Sequence, residues 1–283
     1  QSRYAKPVAG ERRRLGSGLV VSVMPRWLTG LEIGGMRFSH EPWPEGGFTL
    51  QSLSRPFAGA GNLFGGVPTN VDAQNEVASV FARWAVPAAK AEMYGEFYKE
   101  DYFGKFHESP GSLVEKPDDL AAFTIGVQRV LIAAPQHIRV LRAELVNGES
   151  SHQERGERGF DVPRPPYTHS DATQGHTVNG LLLGSPDAYG GSGWRLGIDD
   201  FSPRGRRSLA FQRSLRLDWL VGFPTGQTSV EPDVLYSLRA ESLRFVGGRE
   251  YGLTIIPAID LNRNLQAHHD VFNLTAAVTF RGF

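Results

Sequence analysis

The sequence predicts an all-β fold, an antiparallel up-and-down β-barrel of the transmembrane kind. Three observations predict it. About eleven segments have strand character with period-two alternation. Long and short connections take turns along the chain. The last segment, "HHDVFNLTAAVTFRGF", reads as a strand that stops on an aromatic residue, Phe283.

The strand-like segments lie near 17–25, 28–38, 76–86, 90–102, 120–131, 136–147, 193–200, 207–218, 233–245, 250–260 and 269–281. Most are longer than the usual globular strand and match a tilted strand crossing a bilayer. Near 209–219, Leu209, Phe211, Leu215, Leu217 and Trp219 share one face, and Ala210, Gln212, Ser214, Arg216 and Asp218 share the other; Arg213 interrupts the apolar side. Near 251–259, Tyr251, Leu253, Ile255, Pro257 and Ile259 oppose Gly252, Thr254, Ala258 and Asp260, with Ile256 out of pattern. Ala91, Met93 and Phe97 oppose Glu92, Tyr94, Glu96 and Tyr98. In the last segment Phe272, Leu274, Ala276, Val278 and Phe280 oppose Asn273, Thr275, Ala277, Thr279 and Arg281. The phase wanders near 138–145, which predicts a β-bulge there.

Alternation alone does not separate a soluble sandwich from a barrel, since both hide one face. The connections do. Short links follow 25, 86, 131, 200 and 245, whereas longer ones run near 39–75, 103–119, 148–192, 219–232 and 261–268. Outer-membrane barrels sort their loops this way, with short periplasmic turns and long extracellular loops. A Greek-key sandwich has no reason to do so.

Composition fits. The chain has 283 residues, 30 Lys plus Arg against 30 Asp plus Glu, and so no basic footprint for nucleic acid. With 40% hydrophobic and 21% charged residues it is not disordered by composition. Its 33 glycines suit turns and strands. The absence of cysteine removes disulfides, thiol nucleophiles and thiolate metal sites. No run approaches the roughly 18 apolar residues of a membrane helix.

The topology adds an expectation. With Phe283 periplasmic, eleven strands place Gln1 outside the cell, whereas single-chain bacterial barrels keep even strand numbers. The chain is therefore expected to begin mid-barrel, as the absent initiator methionine and signal segment also suggest.

Four stretches carry a resemblance: "LEIGGMRFS" at 31–39, "NEVASVFARWAVP" at 75–87, "AEMYGEFYKEDYFG" at 91–104 and "PPYTHSDATQGHTVNGLLLGSPDAYGGSGWRLGIDDFS" at 165–202. Their order resembles the Wzi capsule-assembly family of outer-membrane proteins, over nearly the whole chain. The resemblance implies the C-terminal part of a barrel of about eighteen strands. It implies a lectin-like protein, not an enzyme, that binds capsular or exopolysaccharide and helps attach or organise the capsule. The partners it implies are that polysaccharide and outer-membrane lipid and lipopolysaccharide, with the protein a monomer and no cofactor.

Glycan binding needs aromatic faces for sugar rings and planar polar groups for hydroxyls. Trp43 in the loop at 39–75, and Tyr167, His169, His176, Asn179 and Tyr189 in the loop at 148–192, are the candidates. The plain alternative is that these aromatics anchor loops to the rim. Glu92, Glu96 and Glu100 share one phase of their segment, and Arg83, Arg216, Arg239 and Glu241 fall on the same side elsewhere. Paired carboxylates can cleave glycosides. The expectation is instead a structural charge network in the lumen, with acids paired to arginines and no pair open to a sugar.

"THSD" at 168–171 is too local for a serine triad, "HHD" at 268–270 is expected at the rim and not on a metal, and "GAGNLFGG" at 59–66 lacks a phosphate-loop lysine. "RRR" at 12–14 would reach lipopolysaccharide phosphates or be a solvated patch; "RGRR" at 204–207 lies on a periplasmic turn. The competing functional readings are a porin-like channel for small solutes and a hydrolase, the latter lacking a persuasive nucleophile.

Overall fold

In a computed structural model, residues 14–43, 75–100, 121–149, 177–178, 181–182, 184–188, 190–216 and 231–282 are described. Eleven strands form one antiparallel sheet: β1 (Arg14–Val23), β2 (Leu31–Pro42), β3 (Asn75–Val86), β4 (Ala91–Glu100), β5 (Ala121–Ala134), β6 (His137–Asn147), β9 (Ser192–Ser202), β10 (Gly205–Arg216), β11 (Asp233–Val246), β12 (Arg249–Leu261) and β13 (Val271–Gly282). Each pairs with the next in chain order, an up-and-down meander. A second sheet pairs two strands of two residues each, β7 (Thr177–Val178) with β8 (Leu181–Leu182). It is too short for periodicity to reveal and falls within a stretch read from sequence as one loop.

Because neighbours are antiparallel, alternate links leave from opposite ends of the sheet. Links at 24–30, 87–90, 135–136, 203–204 and 247–248 leave from one end, and those at 43–74, 101–120, 148–191, 217–232 and 262–270 leave from the other. The tight end is built by turn chemistry. Gly247 and Gly248 both have positive φ (57° and 74°), as a two-residue primed hairpin turn demands.

The register makes the two faces continuous. One row runs Leu31–Trp84–Met93–Val127–Ala143–Leu196–Phe211–Leu238 across eight strands. The neighbouring row on that face includes Ile33, Ile125, Leu145, Trp194, Tyr236, Ile259 and Phe272. Arg213 sits in that row, between Trp194 and Tyr236. Edge-on contact of Trp194 with Phe211 (5.3 Å) and stacking of Phe211 on Tyr236 (6.3 Å) knit the face. Among the described residues no second layer covers these side chains. Val80 is 61% exposed, Leu196 49% and Val278 80%.

The opposite row reads Glu32–Arg83–Tyr94–Gly126–Glu144–Arg195–Gln212–Ser237. This polar face also carries the buried cluster, Val77, Tyr98, Ala122 and Val146 under Ala188. So the little core there is lies where a turn at Pro186–Ala188 folds onto the polar side.

Two irregularities have local causes. The β5–β6 register shifts between Val130 and Ile132, so the bulge is on β5 at Leu131 and not within 138–145. An extra residue shifts the alternation of the strand that carries it; the mixed faces of β6 come from its own residues, such as Val140 on the polar face opposite Asp199. Pairing of β11 with β12 lapses at Leu238 and Arg239, opposite Pro257, which has no N–H to give.

Candidate functional site

The polar face is organised by charge. Arg83 on β3 donates to Glu92 on β4 at 2.5 Å, and Gln128 on β5 donates to the other oxygen of Glu92 at 3.1 Å. Glu241 on β11 receives Arg206 of β10 at 2.9 Å and Arg239, two residues before it, at 2.7 Å. Arg142 on β6 approaches Asp199 on β9 at 3.5 Å. Alternation puts every one of these side chains on one face, where acids meet bases across strands and, for Arg239 and Glu241, two residues apart on one strand. Arg216 faces Asp233 across β10 and β11.

Glu96 belongs to a different setting. With Glu144 it lines a cavity of about 500 Å³ on the polar face, toward the end of the long links. Met36, Phe38, Val77 and Tyr98 form its apolar wall, Thr124 lies between the two acids, and Gly184, Ser185 and Ala188 cap it. Glu144 accepts a short hydrogen bond from the Tyr94 hydroxyl. That bond crosses a whole strand: Tyr94 is on β4 and Glu144 on β6. It is possible because Gly126 on the intervening β5 has no side chain, and a Cβ there would collide with the Tyr94 ring.

The cap is held by packing and charge. The carboxyl of Asp187 lies against Gly193, where a Cβ would come within 2.5 Å of it. Burial pushes the Asp187 carboxyl above the usual carboxylate range, and a hydrogen bond with Ser214 and the Arg216 charge oppose that rise; the negative charge of Glu144 adds to it. Glycine at 193 lets the turn seat directly on β9, and Gly148 N–H donates to Gly191 carbonyl at 2.8 Å beneath it.

No family model, curated protein or solved structure matches this chain.

Of the glycan candidates, Trp43 is described: it follows β2 at the long-link end and is 39% exposed. Tyr167, His169, His176, Asn179 and Tyr189 lie outside the described residues. So do most of the loops at 39–75, 148–192 and 219–232, all of that at 103–119, and Phe283. Of the charge-network candidates, Arg83, Glu92, Arg239 and Glu241 lie in the pairs above; Glu100 ends β4 and its side chain is outside the described set. The expectation that the acids of this network would pair with arginines is corrected at Glu96, which lines the cavity beside Glu144, an acid outside that expectation. These two flank open space because the nearest residues across from Glu96 are Phe81 and Thr124, which carry no charge. Glu144 was missed in the sequence because the irregular phase of its strand hid which way it faces. Among the described residues no group of three or more His, Cys, Asp or Glu could hold a metal ion.

Proposed function

We propose that this chain is part of the wall of an outer-membrane β-barrel that binds capsular or exopolysaccharide and helps attach or organise it at the cell surface. The observation that carries the membrane reading is the exposed apolar face, continuous over eight strands in one register row. A water-soluble protein rarely exposes apolar patches beyond a few hundred Å². Acyl chains would cover this one without cost. The polar face would then turn toward an enclosed lumen, and the long links would gather at the extracellular mouth.

Several features fit this placement. The strands run 10 to 14 residues, enough to cross tilted. Trp27, 83% exposed in the 24–30 link, sits where an interfacial tryptophan belongs. On the polar face, arginine–carboxylate pairs and the turn at 184–188 fill space, which suits a binding protein better than an open conduit. The polysaccharide is what the resemblance to the Wzi family adds, together with localisation to the outer membrane and the eighteen-strand size.

The test is to delete the gene in its host and assay capsule retained on washed cells, then complement it. Loss of retained capsule with unchanged synthesis is expected. Unchanged retention overturns the polysaccharide role. Large steady conductance of the purified protein in planar bilayers would favour the porin-like alternative. Extraction from membranes by alkaline carbonate would overturn the barrel.

A further inference from the structure

The cavity beneath residues 184–188 has an unbalanced chemistry. Its described lining includes two carboxylates, Glu96 and Glu144, and no basic side chain. Tyr94 satisfies one oxygen of Glu144 with a neutral hydroxyl, so the negative charge stays uncompensated. Arg195, directly across from Glu144 on β9, makes no ion pair with it and does not line the cavity. Arg142, two residues before Glu144, is committed to Asp199. A third acid, Asp187, lies close enough to feel the charge of Glu144.

Both carboxylates are exposed at the cavity and neither has a basic partner among the described residues, so a ligand that brings the opposite charge can reach them. Two such groups do not make a metal site here. The remaining wall is apolar and aromatic, with Met36, Phe38 and Tyr98, where a hard cation wants more oxygen ligands. An organic cation with an apolar face suits both halves of the site. The volume, about 500 Å³, is within the range of small-ligand pockets and roomy enough for one or two sugar rings.

We infer that this cavity binds a sugar bearing a free primary amine, an N-unsubstituted hexosamine unit, with the ammonium between Glu96 and Glu144 and the C–H face of the ring against Phe38 and Tyr98. Thr124 and Ser185 stand ready for ring hydroxyls. The inference deepens the polysaccharide reading and rests on it only for the choice of a sugar as the carrier of the amine.

The experiment is calorimetric titration of the full-length protein in detergent with three disaccharides: β-1,4-linked diglucosamine, its N,N′-diacetyl form and cellobiose. Diglucosamine is expected to bind at least 10-fold more tightly than either of the others, and to weaken as salt is raised. Glu96→Gln and Glu144→Gln should each weaken it 10-fold or more, whereas Glu250→Gln, at the short-link end, should not. Ser185→Trp, which blocks the cavity from the cap without touching either carboxylate, should abolish binding, and an unchanged circular dichroism spectrum of each variant shows that it is folded. Equal binding of the three sugars, no binding of any, or indifference to both glutamine variants would overturn the inference. Failure of amine binding while gene deletion still costs the cells their retained capsule sinks this site alone; amine binding while deletion leaves capsule retention unchanged sinks the capsule role alone.

Discussion

Tyr94 and Gly126 are directly paired across β4 and β5, and the tyrosine ring occupies the space where a side chain at 126 would stand. The ring thereby covers the bare backbone of β5 and its hydroxyl reaches Glu144 on the strand beyond. Three strands are tied together by one side chain lying flat. Gly126→Ala should therefore expel the ring, break the bond to Glu144 and cost about 1–3 kcal/mol, as overpacking typically does. Tyr94→Phe keeps the ring and loses only the hydrogen bond, worth about 1 kcal/mol. Urea unfolding in lipid vesicles would rank them, and a smaller loss for the alanine variant than for the phenylalanine variant would contradict this account.

The apolar face offers a direct test of its solvent. Leu196 lies near the middle of β9 (Ser192–Ser202) and is half exposed. In a bilayer, Leu196→Arg should destabilise by about 2–4 kcal/mol, the cost of arginine at the midplane. On a water-facing surface the same change would stay within about 0.5 kcal/mol. Refolding titrations of the variant into vesicles separate these outcomes.

Glu92 receives two donors from two strands, Arg83 and Gln128, and should behave as a small network. Arg83→Gln and Glu92→Gln made together should be less harmful than the sum of the single changes, since each single change leaves a partner unpaired. A double-mutant cycle measured by chemical unfolding checks this, and strict additivity would show the pair to be energetically idle.

Asp187 gives a pH dependence with a definite sign. Its folded carboxyl titrates above its ordinary value because it is buried. The protonated form is thus favoured by the docked turn. Docking is strongest at pH below the ordinary carboxylate range, near 3.9, and weakens as pH rises through the elevated folded value. Hydrogen exchange at 184–188, corrected for intrinsic rates, should show protection falling across that rise. Asp187→Asn should flatten the profile, and an unchanged profile in that variant would assign the dependence elsewhere.

Much of the architecture is legible in the sequence. All eleven long strands, their order and the sorting of their links follow from alternation and turn residues, because a period of two is a local property of each segment. The bulge is instructive: the disturbed phase was visible on β6, yet the extra residue is Leu131 on β5. The mixed polarity of β6 belongs to its own residues, such as Val140 on the polar face, and a pattern read along one strand does not report a surplus residue on its neighbour.

Read alone, the chain determined which residues share a face. That is why Glu92, Glu96, Arg83, Arg239 and Glu241 were assigned to one side from pattern. Only the tertiary structure decided which of them meet. Glu96 and Glu144 come from strands separated by β5, and their shared cavity depends on a register that includes the bulge, on the missing side chain at Gly126 and on a turn that folds back over the sheet. Such proximity arises from hydrogen-bonded pairing between residues dozens of positions apart, and no local periodicity encodes it.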